Sequence, residues 1–119
     1  MWQGQVTTAN TNTDGSTGTY VSVATGGTNG SRIDWIRIQA IATSTVGSVR
    51  LFITDTSGSV TRLFRDVEVT AVTVAEGTAP WGTDLDYTAT PIILESGDIL
   101  KATTYDGEDF NIVCFGGDF

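Results

Sequence analysis

Hydrophobic and polar residues alternate in short runs along most of the chain, which is the period of a strand with one buried face. No segment shows the 3.6-residue period of an amphipathic helix. Residues that favour turns separate the runs at short intervals. The pattern predicts an all-β, antiparallel two-sheet sandwich that is jelly-roll-like and has about eight or nine strands. The predicted strands cover residues 20–24, 31–43, 49–54, 60–65, 67–74, 85–89, 92–94, 99–105 and 110–115.

Three local features refine this pattern. The apolar parity changes at Trp35-Ile36, which predicts a bulge or a bend between sheets. The turn residues 55–59 predict a β-hairpin between their flanking strands. Asp106-Gly107 lies between two apolar runs and predicts a second hairpin.

The first residues differ from the rest. Residues 3–19 contain only Val6 and Ala9 as apolar groups, too few to bury a core of their own. We therefore divide the chain into an extended N-terminal arm, residues 1–18, and a β-sandwich domain, residues 19–119. We expect the arm either to pair as an edge strand or to be ordered by a neighbouring chain, with Trp2 as an anchor.

Composition supports a sheet and argues against an enzyme. The 119 residues include 21 threonines and 14 glycines, but only one lysine, one cysteine and no histidine. β-Branched threonine suits a pleated surface, whereas histidine is the usual proton shuttle near neutral pH. A single cysteine can form neither an intrachain disulfide nor a structural zinc site, so we expect Cys114 to be a buried, inert thiol. We predict no catalytic activity and no cofactor.

The charge of −8 is unevenly distributed. Residues 1–75 hold five arginines and five acidic groups, whereas residues 76–119 hold nine acidic groups and one lysine. Phosphate binding needs clustered basic residues, so nucleic acid is not an expected direct partner. No apolar run approaches the ~20 residues of a membrane span, and no secretory signal follows Met1. We expect no membrane partner.

Acidic residues offer one possible metal site. Asp106, Glu108 and Asp109 cluster in one predicted loop, and their carboxylates could bind calcium. The spacing lacks the regular ligand order of an EF-hand, so solvated turn residues are the favoured interpretation. Asp84 and Asp86 lie on one strand face and do not face each other. A glycosidase needs two carboxyl groups that face each other across a sugar, so we do not expect this pair to form a glycosidase site.

Aromatic and basic residues provide candidate contacts. We expect Trp35 to be in the core, while Trp81 lies in a loop and could serve as a subunit interface, a partial core residue or a ligand platform. The strand pattern predicts that Arg37, Arg50 and Arg62 point away from the apolar side of their strands. These arginines either keep the surface soluble or contact the acidic second half of another chain. The candidate subunit or capsid contacts are Trp2, Gln3, Gln5, Val6, Arg37, Arg50, Arg62 and Trp81.

Residues 25–38, residues 47–55 and residues 110–119, which end in Gly-Gly-Asp-Phe, carry a family resemblance. The chain resembles the small jelly-roll capsid decoration (cement) proteins of tailed bacteriophages over most of residues 19–119. The shared features are strands and turns. The resemblance implies a homotrimer, made in the host cytoplasm, that binds the major capsid protein on the outer surface of the virion. There it would stabilise the expanded head.

Two other functions remain open. One is a trimeric host-recognition or carbohydrate-binding module of a phage tail, in which Trp81 and the acidic loop would form a sugar site. The other is a minor structural protein of the head or tail.

Overall fold

The structure is a computed structural model that describes residues 1–57 and 59–119. These residues form nine strands and no helix, and the strands are β1 (Trp2–Val6), β2 (Val21–Thr25), β3 (Ser31–Ala40), β4 (Gly47–Asp55), β5 (Val60–Val69), β6 (Gly82–Asp86), β7 (Ile92–Leu94), β8 (Ile99–Thr104) and β9 (Phe110–Asp118). Within the described ranges, no helix is long and apolar enough to cross a membrane.

The strands form two antiparallel sheets. Sheet I has the order β1-β9-β3-β6, with β7 also paired to β3, and sheet II has the order β2-β8-β4-β5. Most consecutive strands lie in different sheets, so the chain crosses repeatedly between the two layers. This order of strands is that of a jelly roll, and the predicted fold class is confirmed.

The two predicted hairpins have different outcomes. β4 and β5 pair with Asp55 opposite Val60, which confirms the first, although Gly58 of its turn lies outside the described residues. The hairpin at Asp106-Gly107 is wrong. β8 lies in sheet II and β9 in sheet I, so residues 105–109 carry the chain across the sandwich. A two-residue hairpin of this type needs positive φ at both central residues, and neither Asp106 nor Gly107 has it.

Bulges explain the parity changes in the sequence. The register of β3 against β9 shifts between Ile33 and Trp35, which confirms the predicted bulge. The shift lets Ile33 and Ile36 both face the core and turns Trp35 to the opposite face, so the core prediction for Trp35 is wrong. A second bulge leaves Phe64 of β5 without a partner. The predicted strands 60–65 and 67–74 are therefore one strand, and it ends at residue 69.

The core lies between the sheets and is almost entirely aliphatic. Its largest side chains with less than 2 % exposure include Ile33, Ile36, Ile38, Leu51, Leu94, Leu100, Phe110 and Ile112. Cys114 is a free cysteine in this layer, as expected.

The N-terminal residues join both sheets. β1 pairs with β9 at the edge of sheet I, where Val6 is buried and Trp2 packs against the core. Of the two alternatives for the arm, the structure has the edge strand. Residues 7–19, here called the strap, then cross to sheet II, where Ala9 bridges Thr104. That residues 19–119 fold without the first 18 residues stays a prediction.

Candidate functional site: the open face of sheet I

The outer faces of the two sheets differ in how much of them is covered. Thr103 of sheet II is buried and its register partner Arg50 donates a hydrogen bond from Nη1 to the carbonyl of Thr11 in the strap, at 3.2 Å. The strap therefore covers part of this face. On sheet I, by contrast, Gln5 and Phe115 are exposed. We call the outer side of sheet I the open face.

Strand register arranges the open face in rows across β1, β9, β3 and β6. From one end to the other the rows are Phe115, Trp35 and Asp86, then Gln3, Val113, Arg37 and Asp84, then Gln5, Asn111, Gln39 and Gly82. Two aromatic rings therefore lie at one end of the face and four amide side chains lie toward the other. The two ends are about 13 Å apart, since a strand rises about 3.3 Å per residue.

A continuous hydrogen-bonded network fixes the polar side chains along β3. The indole Nε1 of Trp35 donates to Asp84 Oδ1 at 3.1 Å, and Arg37 Nη1 donates to Asp84 Oδ2 at 3.1 Å. Arg37 Nη2 also donates to Gln39 Oε1 at 2.5 Å, and Gln39 Nε2 donates to the carbonyl of Trp81 at 3.0 Å. Because each polar group of this network is hydrogen-bonded within the chain, these side chains are ordered in the absence of a ligand.

Gly82 is needed for this network. A Cβ placed on Gly82 would lie 2.4 Å from Arg37 Nη2 and 2.5 Å from Gln39 Oε1. Any side chain at this position would force the guanidinium group and the Gln39 amide to shift and would disturb the hydrogen bond between them. The absence of a side chain on β6 thus lets Arg37 and Gln39 lie flat across the neighbouring strand.

A shallow cavity opens at the amide end of the face. Its volume is about 410 Å³, and it is lined by Gln3, Gly4, Gln5, Asn111, Ile112 and Val113. Gln5 Nε2 donates to Asn111 Oδ1 at 2.9 Å beside it. This volume lies within the usual range of small-molecule sites, about 300–1,000 Å³.

The sequence-predicted contacts on β1 and β3 divide between the two sides of sheet I. Gln3, Gln5 and Arg37 lie on the open face. Trp2 and Val6 pair with Cys114 and Phe110, which places both on the core side.

The other two predicted contact arginines, Arg50 and Arg62, lie on opposite sides of sheet II. Arg50 points outward from sheet II, but its side chain is only 12 % exposed because it pairs with Asp66 at 3.1 Å and lies 5.5 Å from the ring centroid of Tyr105. Arg62 is opposite Ile53, a residue that packs against the core. The prediction that Arg62 points away from the apolar side is therefore wrong, because the bulge at Phe64 reverses the parity of β5.

Trp81 is partly buried. Its ring stands edge-on to Phe110, with centroids 5.9 Å apart and planes at 89°. The structure therefore has Trp81 as a partial core residue, and its roles as a subunit interface or a ligand platform stay predictions. Trp35 instead carries the exposed polar contacts, and the parity change beside it was the sequence signal that could have identified this orientation.

The acidic loop is fixed by hydrogen bonds within the chain. Glu108 accepts from the backbone N–H of Thr45 at 2.9 and 3.1 Å and from the Thr45 hydroxyl at 2.9 Å, and Asp106 accepts from the same hydroxyl at 3.2 Å. The backbone carbonyl of Asp109 accepts from Ile41. Within residues 1–57 and 59–119, no group of three or more His, Cys, Asp or Glu side chains is placed to hold a metal ion.

Two titratable groups of sheet I have shifted pKa values. The side-chain and backbone hydrogen bonds from Thr88 lower the pKa of Asp86 on the open face, so this carboxylate stays charged in mild acid. Burial raises the pKa of the Cys114 thiol to about 12, which keeps it protonated and unreactive near neutral pH.

Comparison with protein-family models, curated proteins and solved structures finds no match for this chain.

Proposed function

We propose that this chain is a structural virion protein, a capsid decoration (cement) protein whose open face binds the major capsid protein. Two things support the proposal. The strands and turns quoted above resemble that family, and one observation carries the assignment of the face. The strap covers part of sheet II, whereas sheet I presents the exposed ring of Phe115 and the half-buried ring of Trp35 beside a fixed network of polar side chains.

Two side chains of the open face, Trp35 and Arg37, are of types that contribute strongly at protein interfaces. Tryptophan and arginine are enriched among residues whose truncation weakens binding strongly. Trp35 and Arg37 already share Asp84 as a hydrogen-bond partner, so little side-chain entropy is lost when a partner covers them.

The size of the open face favours binding by several linked copies. Four strands about 4.8 Å apart and four residue steps of about 3.3 Å span on the order of 200–250 Å². A stable interface usually buries about 800 Å² on each partner. A single face is therefore a weak contact, and the proposed homotrimer would strengthen attachment by engaging three faces at once.

The main test is the location and abundance of the protein in intact particles. Electron cryomicroscopy should find it on the outer capsid surface, in many copies, with sheet I toward the capsid. Sedimentation of the purified protein should give a trimer. A stable monomer that is present in a few copies at the tail would overturn the proposal.

Binding of purified variants to expanded capsids tests the face itself. The double variant Trp35→Ala/Phe115→Ala should lose at least about tenfold in affinity, as expected for two aromatic contacts. Phe64→Ala is a matched control, because Phe64 is 40 % exposed but lies on edge strand β5 of sheet II. Equal binding by both variants would exclude the open face as the contact.

A carbohydrate-binding module of a phage tail is the second candidate. One observation favours it, namely that Trp35 and Phe115 are neighbours on the same face as a cavity lined by amide side chains. Aromatic rings stack against the C–H faces of sugars, while amides bond the hydroxyl groups. The site would be the open face, not Trp81 and the acidic loop. Binding to an array of bacterial glycans, lost in Trp35→Ala, would favour this candidate over capsid attachment.

A further inference from the structure

The strap is bonded mainly to itself. Asn10 Nδ2 donates to the carbonyls of Thr17 and Thr19, at 3.1 and 3.3 Å. Asn12 Nδ2 donates to the carbonyl and hydroxyl of Thr17, at 3.2 and 2.6 Å. These bonds close the strap into a loop, which also packs against sheet II where a Cβ on Gly15 would lie 2.3 Å from the carbonyl oxygen of Thr61.

Few hydrogen bonds attach the strap to the sheet. The Asn10 amide donates to the carbonyl of Thr104 at 2.8 Å, and Arg50 donates to the carbonyl of Thr11 at 3.2 Å. Ala9 is the only aliphatic side chain among residues 7–19, and it is exposed. The strap therefore gains little from the hydrophobic effect when it lies on the sheet.

Two buried hydroxyl groups lie on the sheet II face. The hydroxyls of Tyr20 and Thr103 are buried and have no hydrogen-bond partner among the described residues. Thr103 pairs with Arg50, which the strap contacts, and one further step of the β2–β8 register places Tyr20 opposite Thr103. Burying an unpaired hydroxyl group costs free energy. This cost destabilises the position in which the strap is closed over the face.

We propose that residues 7–19 form a strap that opens from sheet II as a unit while the sandwich stays folded. The ends of the strap stay fixed, because β1 is paired in sheet I and β2 in sheet II. Opening breaks the contacts of Asn10 and Thr11 with the sheet, hydrates the hydroxyl of Thr103 and exposes Arg50. The protein then presents a second sheet face in addition to the open face of sheet I. This inference does not depend on the proposed function.

Amide hydrogen exchange measured by NMR tests the proposal on the whole protein. Exchange of the Asn10 amide should be at least about 100-fold faster than exchange of the Ile36 and Leu51 amides in the core, because local opening needs less free energy than unfolding. Equal rates for all three amides would show that the strap opens only when the sandwich unfolds. That result would overturn the proposal.

The Thr103→Val variant tests the role of the unpaired hydroxyl. It keeps the shape of the side chain and removes the group, which stabilises the closed state relative to both the open and the unfolded states. Exchange at Asn10 should therefore slow by about tenfold, and exchange of the core amides should slow by no more than that factor. Thr104→Val is the matched control, since Thr104 is equally buried but its hydroxyl donates to the Asp106 carbonyl at 2.6 Å. This control should instead speed exchange in the core.

Gly18→Ala tests the closure of the strap from the opposite direction. Gly18 has a φ of 94°, and a Cβ there would lie 2.4 Å from the Asn10 side chain. The variant destabilises the closed state relative to both the open and the unfolded states, so it should speed exchange at Asn10 by at least about tenfold, while Asn10 still exchanges at least about 100-fold faster than Ile36. Faster exchange at Asn10 in Thr103→Val, or exchange at Asn10 as slow as at Ile36 in Gly18→Ala, would overturn the proposal.

Discussion

The ring of Tyr20 stands edge-on to the ring of Phe52, with centroids 5.0 Å apart and planes at 88°. The register partners of Phe52 are Lys101 and Leu63, which lie on the outer side of sheet II, so Phe52 faces away from the core between the sheets. Its side chain is nevertheless fully buried. The sandwich therefore has a small apolar contact outside its main core, on the side where the strap lies.

Truncation of Phe52 should destabilise the protein strongly. We expect Phe52→Ala to lower the free energy of unfolding by about 3 kcal/mol, the usual cost of removing a buried aromatic ring. Phe115→Ala is the control, since Phe115 is 45 % exposed on the open face and should change stability by less than about 1 kcal/mol. Urea unfolding measures both values, and similar losses would show that Phe52 is not buried in solution.

Charge reversal should affect Arg50 and Arg62 differently. Arg50→Glu removes a nearly buried guanidinium and places a carboxylate beside Asp66, so we expect a loss of about 2 kcal/mol. Arg62 is exposed and belongs to none of the ion pairs recorded for the described residues, so Arg62→Glu should cost less than about 0.5 kcal/mol. Thermal unfolding distinguishes the two, and equal shifts would contradict the structural roles assigned here.

Two consecutive glycines of β9 should differ in their tolerance of alanine. A Cβ on Gly116 would lie 1.8 Å from the backbone carbonyl oxygen of Arg32, whereas a Cβ on Gly117 meets no atom within 4 Å. Gly116→Ala should therefore force β9 from β3 and cost more than about 2 kcal/mol. Gly117→Ala should be neutral or slightly stabilising. The melting temperatures of the two variants check the prediction, and a tolerated Gly116→Ala would refute the close approach of the strands.

Cys114 should make stability depend on alkaline pH. Burial raises the pKa of its thiol from 9.0 to about 12, so the folded chain keeps a proton that the unfolded chain loses above pH 9. The stabilisation is fully present below pH 9 and declines as pH rises toward 12. Urea unfolding at pH 8 and pH 10.5 should show a fall that is smaller in Cys114→Ala. Equal falls in both proteins would show that the thiol does not contribute.

Access to the same thiol gives an independent check. A thiol reagent should label Cys114 only after denaturation, because the folded thiol is buried and protonated near neutral pH. Rapid labelling of the native protein would contradict its position between the sheets.

The sequence by itself determined the local elements and the fold class. The strands predicted at residues 31–43 and 110–115 correspond to β3 and β9, and the turn residues 55–59 predicted the hairpin of β4 and β5. Turn spacing and the lack of a helical period then predicted the two-sheet sandwich. These inferences succeed because side-chain alternation and turn chemistry are properties of neighbouring residues.

Only the tertiary structure decided which strands pair and which face each side chain takes. Asp106-Gly107 reads as a hairpin, but β9 pairs with β1 and β3 in the other sheet. A bulge of one residue reverses the face of every residue beyond it, which turned Trp35 outward and placed Arg62 on the core side. The strap is likewise ordered by Thr104 and Arg50, which are distant in sequence. Pairing and covering are long-range contacts, so no local pattern of residues specifies them.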